Sequence, residues 1–355
     1  MSAPARLGEL REAIAAGDAH TVRVCFPDHY GVLRGRRIVA EVFASDPDAR
    51  QGFCDGALVW DIRCDIFEAT DFSNYRTGYP DLYVRPEHET LRPCAWTAGE
   101  WSVFGDCRDE HGAAIDVDPR GILRTVQSRA GAPSVRTQLE LHLRGSGSDG
   151  LLAGIGAAAS GIGVELAGLE HVPGDGVARI ALPALAPLDA ADVLVTVRTA
   201  ARELASGHEV DMTAMAQTEA EGRPTCLLVE VLDESGEPKC QDAAEELALL
   251  LRPLPAGANG IAATAGGVVR AASDANPYLA IAASIAAAAG GGSAPPVSDG
   301  DPYRSSIERL SASALAREWF SDRFIHDAVA LADREARISE SAGGPWDAAR
   351  YRECG

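Results

Sequence analysis

Cysteine is sparse in this chain: eight among 355 residues, and no two at the Cys-x-x-Cys spacing. Zinc sites and thioredoxin-like redox sites use that spacing, so neither is expected. Cys25, Cys54, Cys64, Cys94, Cys107, Cys226, Cys240 and Cys354 are scattered. They read as reduced thiols, mostly small core residues in a cytoplasmic protein. Basic charge is also short, with 32 Lys and Arg against 52 Asp and Glu and a net charge of -20. Nucleic acid and anionic membrane surfaces need basic patches, so both are excluded as expected partners. Long apolar runs are missing as well. The longest, Tyr278 to Ala289, falls short of the roughly 20 residues that cross a bilayer. The N-terminus lacks a basic-then-apolar leader; Leu7, Leu10, Ile14 and Ala15 mark an amphipathic helix instead. Neither a Gly-x-x-x-x-Gly-Lys phosphate loop nor a Gly-x-Ser-x-Gly elbow occurs. Gly154-x-Gly156 has no preceding strand that fits a dinucleotide fold and reads as part of a helix packed through small residues.

What is present centres on residues 135–143. Val135, Thr137, Leu139, Leu141 and Leu143 alternate with Arg136, Gln138, Glu140 and His142. A period of two predicts a strand with one apolar and one polar face. Gln138, Glu140 and His142 then share a face, about 7 Å apart from one to the next at strand rise. Such a row is either the floor of a site or an exposed sheet face, and the strand alone leaves both open. Upstream, residues 21–26 and 32–38 predict two strands joined by a Pro-Asp…Gly turn, a hairpin. Gly35 inside the second strand predicts a bulge, and Arg34, Arg36 and Arg37 a solvated edge. Strands are expected at residues 81–86 and 101–106. Asp118-Pro119-Arg120 then opens a helix with Ile122, Leu123 and Val126 on one face. This change of pattern predicts an α+β chain of two domains, a β-rich one over residues 1–110 and a larger one over 111–355. Residues 290–305, rich in Gly, Pro and Ser, predict a flexible loop, and helical patterns fill 306–340.

Several segments, in order, resemble the glutamine synthetase family. "VRVCFPDHYGVLRGRRI" looks like its opening hairpin, and "DLYVRPEHETLRPCAW" its Asp-x-x-x-x-Pro-Asp-x-x-Thr-x-Arg-x-x-x-Trp segment, with Glu87 where aspartate is usual. "GDCRDEHGAAIDVDPRGILRTV" is similar to the entry to its catalytic domain, and "TQLELHL" to its Glu-x-Glu strand. "LDAADVLVTVRTAARELASGHEVDMTAMAQ" resembles its long helix and the strand after it. "DANPYLAIAASIAAAAGGG" is close to its Asn-Pro-Tyr-Leu helix, and "PWDAARYREC" to its closing segment. The resemblance implies a small β-grasp-like N-terminal domain. A shortened catalytic domain follows, a curved antiparallel sheet backed by helices.

The family makes an amide from a carboxylate and an amine with ATP, using divalent metals on the phosphates. Hard cations want several oxygen ligands, so each missing carboxylate weakens a site. Position by position, the resemblance implies a depleted set. Gln138 stands at the first glutamate of the Glu-x-Glu strand and Glu140 at the second. Glu170 stands for the first glutamate of the next segment and Val177 falls at the second, while Asp175 replaces a glutamine and is either a replacement ligand or simply part of a Pro-Gly-Asp-Gly turn. Cys226 and Leu228 take two histidine positions, and Val268 a further glutamate position. Arg270 corresponds to the arginine before Asn-Pro-Tyr-Leu, and Asp55 lies near a cross-subunit aspartate. The segment 243–267 is much shorter than in the family and carries few charges. The expected metal ligands are therefore Glu140, Glu170 and Gln138, and the expected catalytic residues Arg270 and Asp55. Mg2+ and ATP are expected only in an active protein, and weakly or not at all otherwise. Three readings follow. One is a catalytically degenerate subunit, in a homo-oligomeric ring or a hetero-oligomer with an active paralogue. Another is a divergent active ATP-dependent amide ligase using Glu140, Glu170, Asp175, His171 and Arg270. The third is a small-molecule binding protein.

Overall fold

The structure is a computed structural model. It describes residues 2–172, 176–216, 224–240, 244–255, 263–264, 267–290, 301–342 and Arg350. The chain opens with α1 (Ala3–Ala16), β1 (Thr21–Pro27), β2 (Leu33–Val39), α2 (Ala40–Ser45), β3 (Gln51–Cys54), β4 (Asp81–Pro86), β5 (Arg92–Pro93) and β6 (Glu100–Arg108). It continues through α3 (Pro119–Arg129), β7 (Ser134–Arg144), α4 (Ser148–Gly161), β8 (Gly168–Val172), β9 (Val177–Ala181), α5 (Pro187–Ala205), β10 (Asp211–Thr213) and β11 (Cys226–Leu232). It closes with α6 (Ala248–Leu251), β12 (Ala263–Thr264), β13 (Val268–Ala272), α7 (Pro277–Ala289), α8 (Pro302–Ala312), α9 (Ala314–Trp319) and α10 (Asp322–Ala342).

The first sheet runs β2-β1-β6-β4-β3, with β5 on β6. β1 pairs antiparallel with β2 and parallel with β6, the mixed centre expected of a β-grasp-like unit. The predicted bulge at Gly35 is absent, because β1 and β2 pair without interruption from Thr21↔Val39 to Pro27↔Leu33. Gly35 has φ +150°, and a Cβ there would lie 1.9 Å from the Val24 carbonyl oxygen, so close backbone approach selects glycine. β2 is an edge strand of this sheet with Gly35, Arg36 and Arg37 exposed, the solvated edge expected, and its arginines have partners within the chain. Arg34 pairs with Asp28 at 2.7 Å, Arg36 lies 4.7 Å over the Phe53 ring, and Arg37 pairs with Glu100.

The second sheet runs β12-β13-β11-β7-β9-β8, with β10 on β7, and every pairing is antiparallel. It is curved, nearly a barrel. Val135, Leu139, Leu141 and Leu143 are fully or almost fully buried, as their alternation predicted. Residues 148–161 form helix α4, not a dinucleotide turn. The predicted loop at 290–305 is helical from Pro302, where Asp301 accepts from the Tyr303 N–H to cap α8; residues 291–300 lie outside the described ones.

Where α3 and α5 meet the first sheet lies a largely buried ionic cluster. Arg120 at the start of α3 is 1% exposed and donates to Asp192 of α5 at 3.1 and 2.9 Å, and to Asp106 of β6 and Glu87 at 2.7 Å each. The Tyr278 hydroxyl of α7 donates to the same Asp192 at 2.6 Å. The α3 cap forms as the sequence predicted, with Asp118 accepting from the Arg120 N–H at 3.1 Å. Glu87 thus has a structural partner in Arg120.

Candidate functional site

Cross-strand register turns the second sheet into rows of side chains on one face. Glu140 of β7 stands opposite Arg179 of β9, which stands opposite Glu170 of β8. One step along, Gln138 pairs with Leu228 of β11, and Leu228 with Arg270 of β13. One step the other way, His142 faces Val177 of β9 and Thr213 of β10. The outermost row joins Arg136, Glu230 and Val268. Gln138 and Glu140 of one strand, and Glu170 and Arg270 from distant parts of the chain, are thereby set on neighbouring rows of one face. Glu140 and His142 are only 3% and 5% exposed, so the row is enclosed rather than a solvated sheet face.

Glu140 is held on both oxygens. Oε1 accepts from Arg179 Nε at 3.1 Å, and Oε2 from the Cys226 N–H at 3.2 Å and the Cys226 thiol at 3.3 Å. Arg179 also reaches out to Glu170, Nη1 to Oε1 at 2.8 Å. Hydrogen bonds to Glu170 and to Glu140 raise the Arg179 pKa above its already high ordinary value. Glu170 itself is exposed. Among the described residues Arg270 has no ion pair or hydrogen bond, and its buried Nε lacks a partner. Asp55 lies elsewhere, buried in a short 3-10 turn after β3. There it accepts from the Ser73 hydroxyl at 2.5 Å, and burial raises its pKa. Among the described residues no hydrogen bond or ion pair links Asp55 to the sheet face, so the two expected catalytic residues are not brought together within one chain. Asp175 lies outside the described residues.

The donors do not suit magnesium. Glu140 is taken up by a guanidinium, Gln138 is neutral, the Cys226 thiol is soft, and Leu228, Val177 and Val268 offer no lone pair. Among the described residues no group of three or more His, Cys, Asp or Glu side chains is placed to hold a metal ion. Sequence reasoning missed Arg179. Its only signal was an arginine at the centre of a five-residue apolar strand, and its partners follow from register alone.

The fold has close solved counterparts. A "novel glutamine synthase homolog" matches with a TM-score of 0.76 at 15% identity, covering 95% of this chain and 99% of that one. A structure titled "Apo GmaS without ligand" matches at 0.74 with 17% identity, over 96% and 98%. Identities this low carry the fold alone. Sequence relatives add the lineage: the gamma-glutamylethanolamide synthetase GlnA4 of Streptomyces coelicolor is 30% identical over 142 residues, 39% of this chain and 30% of that protein. This chain is a divergent glutamine-synthetase-like protein. A glutamate–isopropylamine ligase from a Pseudomonas species is 27% identical over 34% of this glutamine-synthetase-like chain and 27% of the relative. The type-1 glutamine synthetase 2 of Dictyostelium discoideum is 29% identical over 30% and 20%. The chain thus spans less than a third of the length of the curated relatives it matches. No family model matches it.

Proposed function

We propose that this glutamine-synthetase-like chain does not carry out metal-assisted phosphoryl transfer and serves as a scaffold or regulatory subunit, cytoplasmic and ring-forming. Its partners would be copies of itself or an active paralogue. The observation that carries the reading is the composition of the sheet-face rows. Charge neutralisation on transferred phosphate needs cations held by several carboxylates. Here the rows set a neutral amide, a leucine and an arginine in one line. In the next, a carboxylate is already bonded to a guanidinium and a thiol.

A second reading has its own support in the relatives' names: two of the three are ligases that join glutamate to small amines. It holds that the chain is an active amide ligase with rearranged ligands, using ATP and Mg2+. One experiment separates the two. Purified protein is incubated with ATP, magnesium and glutamate plus ammonia, ethanolamine or isopropylamine, and ADP release is followed alongside nucleotide calorimetry. No ADP and no nucleotide binding are expected. Magnesium-dependent ADP release that disappears in Glu140→Ala would establish the ligase reading instead.

A further inference from the structure

We infer that Arg179 is a resident cation, doing between Glu140 and Glu170 the neutralising work that a divalent ion does between paired carboxylates. The inference deepens the reading above and rests on it. Glu140 is almost fully buried, and a buried carboxylate must be paired or protonated. The pairing here is built by register, with the three residues directly opposite one another across β7, β9 and β8. One guanidinium spans the gap, Nε on the inner carboxylate at 3.1 Å and Nη1 on the outer one at 2.8 Å. An arginine presents its donors as a rigid fork and stays charged at any physiological pH, so it suits a permanent place between two carboxylates. The other oxygen of Glu140 is occupied by the backbone and thiol of Cys226. A divalent ion on these two carboxylates would have to displace the guanidinium or sit beside a like charge. The buried carboxylate therefore has its counter-charge without metal.

The consequence is a cation site that opens only when the arginine is removed. The full-length protein is compared as wild type, Arg179→Ala, Glu140→Gln and the double variant Glu140→Gln/Arg179→Ala, with manganese as the probe. Manganese binding is read by electron paramagnetic resonance, and melting temperature in manganese against EDTA. Wild type is expected to bind no manganese at Glu140 and to melt at the same temperature in both. Arg179→Ala should melt lower in EDTA, recover by several degrees in manganese and hold one ion that the double variant loses. If Arg179→Ala is insoluble in EDTA, solubility restored by manganese gives the same answer. If it is insoluble throughout, Arg179→Met keeps the aliphatic volume and is measured in its place. Manganese bound to wild type and lost in Glu140→Gln would overturn the inference. So would an arginine-free variant that neither binds manganese nor is stabilised by it. ADP release by wild type would refute the underlying reading. An inert wild type with no manganese effect in the variants would refute this inference alone.

Discussion

Arg120 and Arg179 each bond more than one carboxylate, in opposite surroundings. Arg120 is 1% exposed and joins α3 to α5, to β6 of the first sheet and to Glu87 beyond β4. Arg179 is 30% exposed and joins three adjacent strands of one sheet. The chemistry is the same guanidinium–carboxylate bonding, and the difference is how much water can replace it. In the first case the arginine and two of its carboxylates are almost wholly buried, so the cluster fixes how the helices meet the first sheet. In the second, Glu170 is exposed, so the arrangement governs what the sheet face can bind more than whether the sheet forms.

The sharpest way to break the comparison is Arg120→Met. It leaves Asp192 buried without its cation, while Asp106 keeps Arg124 at 3.1 Å, and removing one partner from a buried pair costs about 3–5 kcal/mol. Urea denaturation should show the loss, and a change under 1 kcal/mol on that scale would mean that water already reaches the cluster. A buried carboxylate without a bonded guanidinium is the converse case. Asp274 has Oδ2 on the Ala216 N–H at 3.1 Å, no hydrogen-bond partner for Oδ1 among the described residues, and a pKa pushed by burial to about 6. Its folded pKa exceeds its unfolded value, so between about pH 4 and 6 the native state binds the extra proton. Stability from this group is present at low pH and lost as pH rises through 6, on the order of 2–3 kcal/mol. Asp274→Asn should flatten that part of the pH profile; an unchanged slope would assign it elsewhere.

Arg179→Ala in EDTA should come next, about 1.5–2 kcal/mol for lost charged hydrogen bonds to a buried acceptor. A cost matching that of Arg120→Met would show that exposure of the outer carboxylate does not matter. The smallest effect belongs to the neighbouring pair Arg136–Glu230, where Arg136 is 48% exposed. Arg136→Ala should change stability by less than about 1 kcal/mol and lose even that in high salt. Together the three arginines make a series in which cost falls as exposure rises.

Much of the scaffold was legible because its signals are local. The alternation from Val135 to Leu143 gave β7, the Asp118-Pro119 pair gave the start of α3, and the Asn-Pro-Tyr-Leu run gave α7, capped by Asn276 on the Tyr278 N–H. The errors were of another kind. Gly35 was expected at a bulge, whereas close passage of the Val24 carbonyl explains it. The hairpin arginines lie on a solvated edge as expected, but their partners were not foreseen: Asp28 in the hairpin's own turn, and Phe53 and Glu100 on other strands.

The sequence by itself determined the elements, the family resemblance and the residues at the expected ligand positions, since each is written in a run of neighbouring residues. Only the tertiary structure decided that Glu140 is buried and that Arg179 lies between it and Glu170. It also set Gln138, Leu228 and Arg270 in one row. The physical reason is register: strand partners 35 to 98 residues apart meet through backbone hydrogen bonds that carry no side-chain identity. A shift of one residue would turn Arg179 to the opposite face and leave Glu140 without its cation.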